Sequence, residues 1–220
     1  MDEIAEWADA QRRVIALVEP LTPAQAAVRV PACPDWTVRD LLSHVVGLGA
    51  DVLAGDEPDD HHAGWTARQV AARRDRDVAA LVAEWRELGG PLQEWMRAHG
   101  TRPLGDVVIH EQDLRGALGA PGGRESGGVA VVRERFAGRF AARLAELDGP
   151  SVALVGERWS WESAPDPDVV VRAGDFDLAR ALVTRRSAAQ LRSWTTRGDV
   201  GPLLPAFALL GPLPETDLAE

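Results

Sequence analysis

The sequence contains one cysteine and no lysine, asparagine or tyrosine. A single cysteine, Cys33, excludes an internal disulfide, and without a Cys-x-x-Cys pair any metal would be bound mainly by His, Asp or Glu. No apolar run reaches the roughly 18 to 20 residues that a membrane-spanning helix needs. The acidic start Met1-Asp2-Glu3 also differs from the basic start of a signal peptide. We therefore expect a cytoplasmic protein.

Acidic residues outnumber basic ones. The 220 residues include 24 Lys+Arg and 34 Asp+Glu, which gives a formal net charge of -10 and a sequence pI near 5.0. Such a chain repels nucleic-acid phosphates and anionic lipid headgroups. We therefore expect neither a nucleic-acid partner nor a membrane partner. The 45% of hydrophobic residues and 26% of charged ones are typical of a globular protein.

The first 120 residues carry apolar positions at helical spacing in four stretches. A helix is predicted from Asp2 to Glu19. Pro20 to Asp35 is predicted to be a largely extended connection with at most a short helix beginning at Thr22-Pro23, and Trp36 is expected to anchor it to the core. Thr37 with Asp40 predicts the start of a second long helix. The four predicted helices are Asp2 to Glu19, Val38 to Leu53, a long one from Thr66 with a kink or a break at Gly89-Gly90-Pro91, and Val107 to Leu118. Four helices with short connections predict an antiparallel bundle over residues 1–120.

The remaining residues, 125–220, mix helical and strand-like patterns. After a helix from Val129 to Leu147, β-branched or alternating stretches at 151–155, 158–162 and 168–172 predict strands. Two shorter helices are predicted at 176–184 and 187–194. The fold class is therefore α+β, with a second, smaller domain that begins near residues 120 to 128.

Three polar residues of the predicted bundle could form a metal site. Asp106 and His110 are four positions apart, so their side chains extend from one face of a helix, one turn apart. His44 lies on an apolar stripe of another helix and could meet them in the bundle interior. Two histidines and one carboxylate leave a catalytic metal with an open position. The alternative is that His44 is a hydrogen-bonded interior histidine and Asp106 caps its helix.

Three segments resemble the mycothiol-dependent maleylpyruvate isomerase family of the actinobacterial type, within the DinB-like superfamily of metalloenzymes. They are VPACPDWTVRDLLSHVVGL (30–48), GDVVIHEQDLRGALG (105–119) and TRRSAAQLRSWTTRGD (184–199). The resemblance implies a DinB-like four-helix bundle at 1–120. It also implies an α+β accessory domain at 125–220, similar in shape to sterol carrier proteins.

The resemblance implies a zinc ion bound by His44, Asp106 and His110, with Asp106 where family members have Glu. The aspartate is shorter by one methylene, so the neighbouring Glu111 is the backup ligand. Glu111 lies about 100° around the helix from His110, and the alternative for it is a solvated surface residue. Asp113 is expected to accept the proton of the second ring nitrogen of His110, or else to pair with an arginine.

Two arginines and one cysteine are further residues to consider for the site. Arg39 and Arg115 are weaker candidates for substrate carboxylates, and a surface role is the alternative for each. Cys33 lies between prolines with no histidine near it in sequence, so we expect it to be packed and inert.

The family implies catalysis with mycothiol as thiol cofactor or co-substrate and a small electrophilic metabolite as substrate. The reaction would be cis-trans isomerisation of the maleylpyruvate type or thiol transfer, in a monomer or homodimer. Two alternatives stay open: a non-catalytic small-molecule-binding or regulatory protein, and a metal-dependent hydrolase on the same bundle.

Overall fold

The computed structural model describes residues 1–58 and 63–218. The acidic segment Asp59-Asp60-His61-His62, which we expected to be a surface loop, lies outside the described residues. The chain divides into two compact units, the first ending at Gly128 and the second beginning at Val129. Within the described residues no helix is long and apolar enough to cross a membrane.

The first unit is a four-helix bundle with two short extra helices and one hairpin. Its elements are α1 (Glu3–Val18), α2 (Pro23–Ala26), β1 (Arg29–Val30), β2 (Cys33–Thr37), α3 (Val38–Ala54), α4 (Ala63–Ala72), α5 (Val78–His99) and α6 (Pro103–Leu118). Helix α1 packs against α5 and α6, and α3 packs against the same two helices. Large apolar side chains such as Trp7, Leu41, Trp85 and Leu104 fill the interior between them.

Capping residues fix where the helices begin. The Thr37 side chain accepts a hydrogen bond from the backbone of Asp40, whose carboxylate accepts one from the backbone of Thr37. This capping box starts α3 at the predicted residue. Thr22 and Gln25 form the same box at the start of α2, inside the connection predicted to be largely extended.

The predicted third helix is wrong as a single helix. It is two helices, because the Asp77 carboxylate accepts from Ala80 N and starts α5 as an N-cap. Gly89-Gly90-Pro91 lies inside α5 and does not end it. A Cβ on Gly89 would lie 3.0 Å from Gln11 Oε1, so this glycine permits the close packing of α1.

Helix α6 begins earlier than predicted. Pro103 occupies its first turn, where the missing N–H costs no hydrogen bond, and the N-cap position is Arg102. Asp106 is therefore inside the first turn and does not cap the helix. The predicted end is confirmed, because Gly119 stops α6 in the left-handed conformation with φ 59°.

The second unit is a mixed sheet with helices. Its elements are α7 (Gly127–Glu146), β3 (Val152–Val155), β4 (Ser160–Glu162), β5 (Val169–Arg172), α8 (Asp175–Leu182), α9 (Ala188–Ser193), β6 (Thr195–Arg197) and α10 (Leu204–Phe207). The strand order is β4-β3-β5-β6, with β3 and β5 parallel and the outer pairs antiparallel. The Phe140 ring packs on those of Trp161 and Phe207 in the core. The α+β fold class is confirmed; β6 and α10 were not predicted.

Candidate metal centre

Two neighbouring helices of the bundle bring the three predicted residues together. The His44 side chain is buried in the middle of α3, and α6 presents Asp106 and His110 one turn apart. His44 Nε2 lies 3.4 Å from Asp106 Oδ1, and His110 Nε2 lies 3.5 Å from the same oxygen. One ligand-type atom from each residue lies within 4.8 Å of those of the other two. The sequence placed Asp106 and His110 on one helix and His44 on another, and packing of α3 against α6 makes them one cluster.

The second ring nitrogen of each histidine has an acceptor of its own. His44 Nδ1 lies 2.7 Å from Gln69 Oε1, and His110 Nδ1 lies 2.9 Å from Asp113 Oδ2. In a neutral imidazole only one nitrogen carries a proton. Donation from Nδ1 therefore leaves the Nε2 lone pairs of both histidines directed at Asp106.

The cluster fits a divalent cation. Two imidazole lone pairs and a carboxylate repel one another unless a positive charge lies between them. Asp106 Oδ2 is buried and has no hydrogen-bond partner within the described residues. Two imidazole nitrogens and a carboxylate oxygen, with hydrogen bonds that support both imidazoles, are a ligand set of the type found in catalytic metal sites.

Protons compete with a metal for this cluster. Burial by itself would raise the pKa of Asp106, but the neighbouring His110 and His44 lower that pKa far below its usual range. Burial by itself would lower the pKa of His110, but Asp106 and then Asp113 raise that pKa well above its usual value. The site thus favours positive charge at this point of the bundle, as a proton or as a metal ion.

Comparison with known proteins identifies the bundle. Residues 7–115 match the mycothiol maleylpyruvate isomerase N-terminal domain. The first unit belongs to this domain family. Its match contains all three residues of the cluster, and the family resemblance of the sequence is confirmed.

A solved structure extends the likeness to the second unit. The crystal structure of a His-to-Ala mutant of the mycothiol-dependent maleylpyruvate isomerase matches with a TM-score of 0.60 and 13% identity. The match covers 91% of this chain and 94% of that one, which shows that the isomerase fold extends beyond the family domain. Among the curated proteins, none matches the sequence.

Glu111, the backup ligand, is not the solvated residue that the sequence suggested. Its side chain is fully buried and lies between two arginines. Arg13 donates to both carboxylate oxygens, and Arg115 Nε donates to Oε1 at 3.0 Å. Gly123 closes over this group with φ 66°, where a Cβ would lie 2.8 Å from Glu111 Oε1. Glu111 is therefore part of a buried charge network beside the cluster of His44, Asp106 and His110, and not part of that cluster.

The two candidate substrate arginines make contacts within the protein. Arg115 donates to Glu111 and to the carbonyl oxygen of Ala120. Arg39 Nη1 donates to the carbonyl oxygens of Arg73 and Arg74, after the end of α4. Both guanidinium groups thus hold backbone turns in place, and contact with a substrate stays an untested expectation.

Cys33 is closer to the site than its sequence position indicated. It is half-buried on β2, and its Sγ lies 3.8 Å from Asp113 Oδ2. Ligand-type atoms of Cys33, His110 and Asp113 lie within 4.8 Å of one another. Trp36, expected to anchor the connection in the core, is half-exposed, and its ring centroid lies 5.0 Å from that of His44. The hairpin formed by β1 and β2 thus brings a thiol and an aromatic ring to the cluster.

Sequence reasoning missed Gln69. Nothing in its local pattern distinguishes it from other polar helix residues, because its partner His44 lies 25 positions earlier in the chain. The feature that marks Gln69 is its burial, because its side chain is only 2% exposed. This burial results from the packing of α4 against α3, so the sequence of α4 alone does not reveal it.

Proposed function

We propose that the first unit binds one divalent metal ion, most simply zinc, through His44, Asp106 and His110. We further propose that it uses this ion to act with mycothiol, a low-molecular-weight thiol, on a small electrophilic metabolite. The observation that carries the proposal is the convergence of two histidine Nε2 atoms on Asp106 Oδ1, with both Nδ1 atoms already engaged. The other oxygen, Asp106 Oδ2, is buried and has no hydrogen-bond partner within the described residues. Membership in the mycothiol maleylpyruvate isomerase N-terminal domain family supports the choice of thiol.

Such a metal, when bound with an open position, lowers the pKa of a coordinated thiol and keeps it as a nucleophilic thiolate at neutral pH. The chain's own residues prepare the place for it. Asp113 holds the ring of His110 with the proton on Nδ1, so that Nε2 is available as a ligand. Asp106 supplies the negative charge that favours a cation between the two histidines.

We place isomerisation of the maleylpyruvate type ahead of thiol transfer. Both reactions begin with addition of a thiolate to an electrophilic carbon, and isomerisation ends with elimination of the same thiol. The domain family and the structurally similar protein are both named for the isomerase, which favours that reaction. The cluster serves either reaction equally well.

Metal content tests the site directly. Purified protein should carry about one divalent ion per chain, and His44→Ala should lose most of it. The control is His99→Ala, because His99 is an exposed histidine that contacts Trp95 and not the cluster. Equal metal content in both variants would contradict the proposed ligand set.

Cobalt substitution tests the thiol. Mycothiol added to the cobalt protein should produce a thiolate-to-cobalt charge-transfer band, which water as a ligand does not give. The Cys33→Ser variant is an essential control, because Cys33 Sγ lies close to Asp113 and could reach the site itself. The band should persist in that variant.

Turnover then separates the remaining possibilities. If the band does not form but an ester or amide is hydrolysed, the metal-dependent hydrolase replaces the thiol enzyme. If neither the band nor turnover is found, a binding or regulatory function replaces both.

A further inference from the structure

A chain of two hydrogen bonds leads away from the proposed metal position through His44. We propose that Gln69 and Asp51 are positioning residues that fix the His44 proton on Nδ1 and so direct Nε2 towards Asp106. The inference rests on the proposed function for its effect on metal binding. Its effect on the His44 tautomer can be measured without any metal.

The direction of the first hydrogen bond is fixed by Asp51. Gln69 Nε2 lies 2.7 Å from Asp51 Oδ2. An ionised carboxylate only accepts hydrogen bonds, so the NH₂ of Gln69 must face Asp51 and its carbonyl oxygen must face the opposite way. That carbonyl oxygen lies 2.7 Å from His44 Nδ1. Since it can only accept, Nδ1 must carry the proton.

The geometry of α3 makes this bridge possible. Asp51 follows His44 by seven residues, or two helical turns, so both side chains lie on the same face of the helix. Gln69 comes from the neighbouring helix α4 and spans the two turns. A Cβ on Gly47, which lies between them in sequence, would be only 2.6 Å from Gln69 Cβ. Glycine at this position therefore allows Gln69 to approach α3 closely enough to reach both partners.

Helix α4 is held at both of its ends. Near its start, Trp65 is buried and its Nε1 donates to the carbonyl oxygen of Asp56 at 3.0 Å. After its end, Arg73 forms a salt bridge with Glu84 of α5 at 2.6 Å, and Arg39 of α3 donates to the carbonyl oxygen of Arg73. These contacts fix the position from which Gln69 extends, which is what a preorganised ligand support requires.

The two histidines are thus supported in different ways. His110 donates to Asp113, a carboxylate three residues away on its own helix. His44 donates to a neutral amide on another helix, and only the charge of Asp51 behind it decides which way that amide points. Changes at Gln69 or Asp51 should therefore affect one ligand and leave the support of the other intact.

Zinc affinity, measured by competition with a chromophoric chelator, tests the positioning role. Gln69→Leu should weaken zinc binding about 10- to 100-fold, the usual effect of losing a hydrogen bond behind a ligand. The matched control is Gln11→Leu, because Gln11 is also buried in the bundle but donates to the backbone of Trp85. Its zinc affinity should stay within about twofold of the parent protein.

A paired exchange separates positioning from simple packing. In Gln69→Glu combined with Asp51→Asn, the asparagine amide would donate to the glutamate, and the glutamate would accept from His44 Nδ1. In this double variant a charged carboxylate accepts the hydrogen bond from His44 Nδ1, so the variant should bind zinc at least as tightly as the parent protein. Gln69→Glu alone places two carboxylates side by side and should bind less tightly than the double variant. A double variant as weak as Gln69→Leu would overturn the inference.

Histidine ¹⁵N and ¹³C chemical shifts of the metal-free protein report the tautomer itself. At a pH where the His44 signals no longer change with rising pH, these shifts should show the proton on Nδ1 in the parent protein. In Gln69→Leu the two tautomers should be mixed, and in Gln11→Leu the proton should stay on Nδ1. A proton on Nε2 in the parent would refute the inference. If the parent protein carries the His44 proton on Nδ1 but binds no zinc, the inference is supported and the proposed function is contradicted. Failure of the inference and failure of the proposed function are therefore distinguishable.

Discussion

The charge pair inside the cluster makes the stability of the metal-free protein depend on pH in an unusual direction. Asp106 raises the pKa of His110 in the folded protein above its ordinary value, and His110 lowers that of Asp106 in return. Replacing Asp106 by Asn removes the negative charge and keeps the shape of the side chain. We therefore expect Asp106→Asn to abolish a pH dependence that the parent protein shows between mildly acidic and mildly alkaline pH.

The two shifts act in opposite pH ranges. The folded pKa of His110 is raised, so its contribution is complete below about 6.5, the unfolded value, and is lost as pH rises through the folded pKa. The folded pKa of Asp106 is lowered, so its contribution is present above about 3.9 and is lost as pH falls. Together they stabilise the metal-free fold most between about pH 4 and 6.5.

The magnitude is bounded by the release of one proton. One group that binds a proton in the folded state changes the free energy of unfolding by at most about 1.4 kcal/mol per pH unit. A rise of two pH units above 6.5 therefore lowers the free energy of unfolding of the metal-free parent protein by at most about 2.7 kcal/mol through His110. Zinc at 100 times its Kd adds about 2.7 kcal/mol. This gain grows with pH up to the folded pKa of His110, because the metal needs the imidazole without its proton.

Urea unfolding at a series of pH values, with chelator and then with zinc, measures these terms. With chelator, the parent should lose stability relative to Asp106→Asn as pH rises above 6.5. With saturating zinc this loss should disappear, because the zinc-bound fold carries no proton on His110 that a rise in pH could remove. The difference between parent and variant cancels the contributions of groups far from the cluster. With chelator present, a difference that stays constant from pH 6 to 8.5 would refute the charge coupling between Asp106 and His110.

Three further predictions concern the rest of the chain. Glu111→Gln should lower the free energy of unfolding by about 3 kcal/mol in urea titrations, because it leaves two arginines around an uncharged buried group. A loss below about 1 kcal/mol would show that the network contributes little to stability. Thr184→Ala should cost about 1–3 kcal/mol by the same assay, because the buried Thr184 hydroxyl donates to Phe207 O and accepts from Leu210 N; Thr184→Ser should keep most of that stability. Trypsin should cut first near the exposed Arg124 and leave two resistant fragments, and loss of both fragments would indicate one merged core.

Local sequence was sufficient for the start of α3, for the end of α6 and for two of the three residues of the cluster. A Thr followed three residues later by Asp starts α3, and a Gly after the last turn ends α6. The four-residue spacing of Asp106 and His110 predicts that they share a helix face, because helix periodicity depends only on the backbone. The apolar stripe around His44 predicts that it faces the interior.

Partners from other helices could not be read from the sequence. Gln69 lies behind His44 only because α4 packs against α3, and Cys33 lies near Asp113 although 80 residues separate them. Glu111 looked solvated on its own helix, yet α1 brings Arg13 to it and buries it. The sequence alone thus determined which residues each helix face presents. Tertiary structure decided which faces meet, because contacts between helices depend on packing across the whole bundle and leave no periodic signal in either segment.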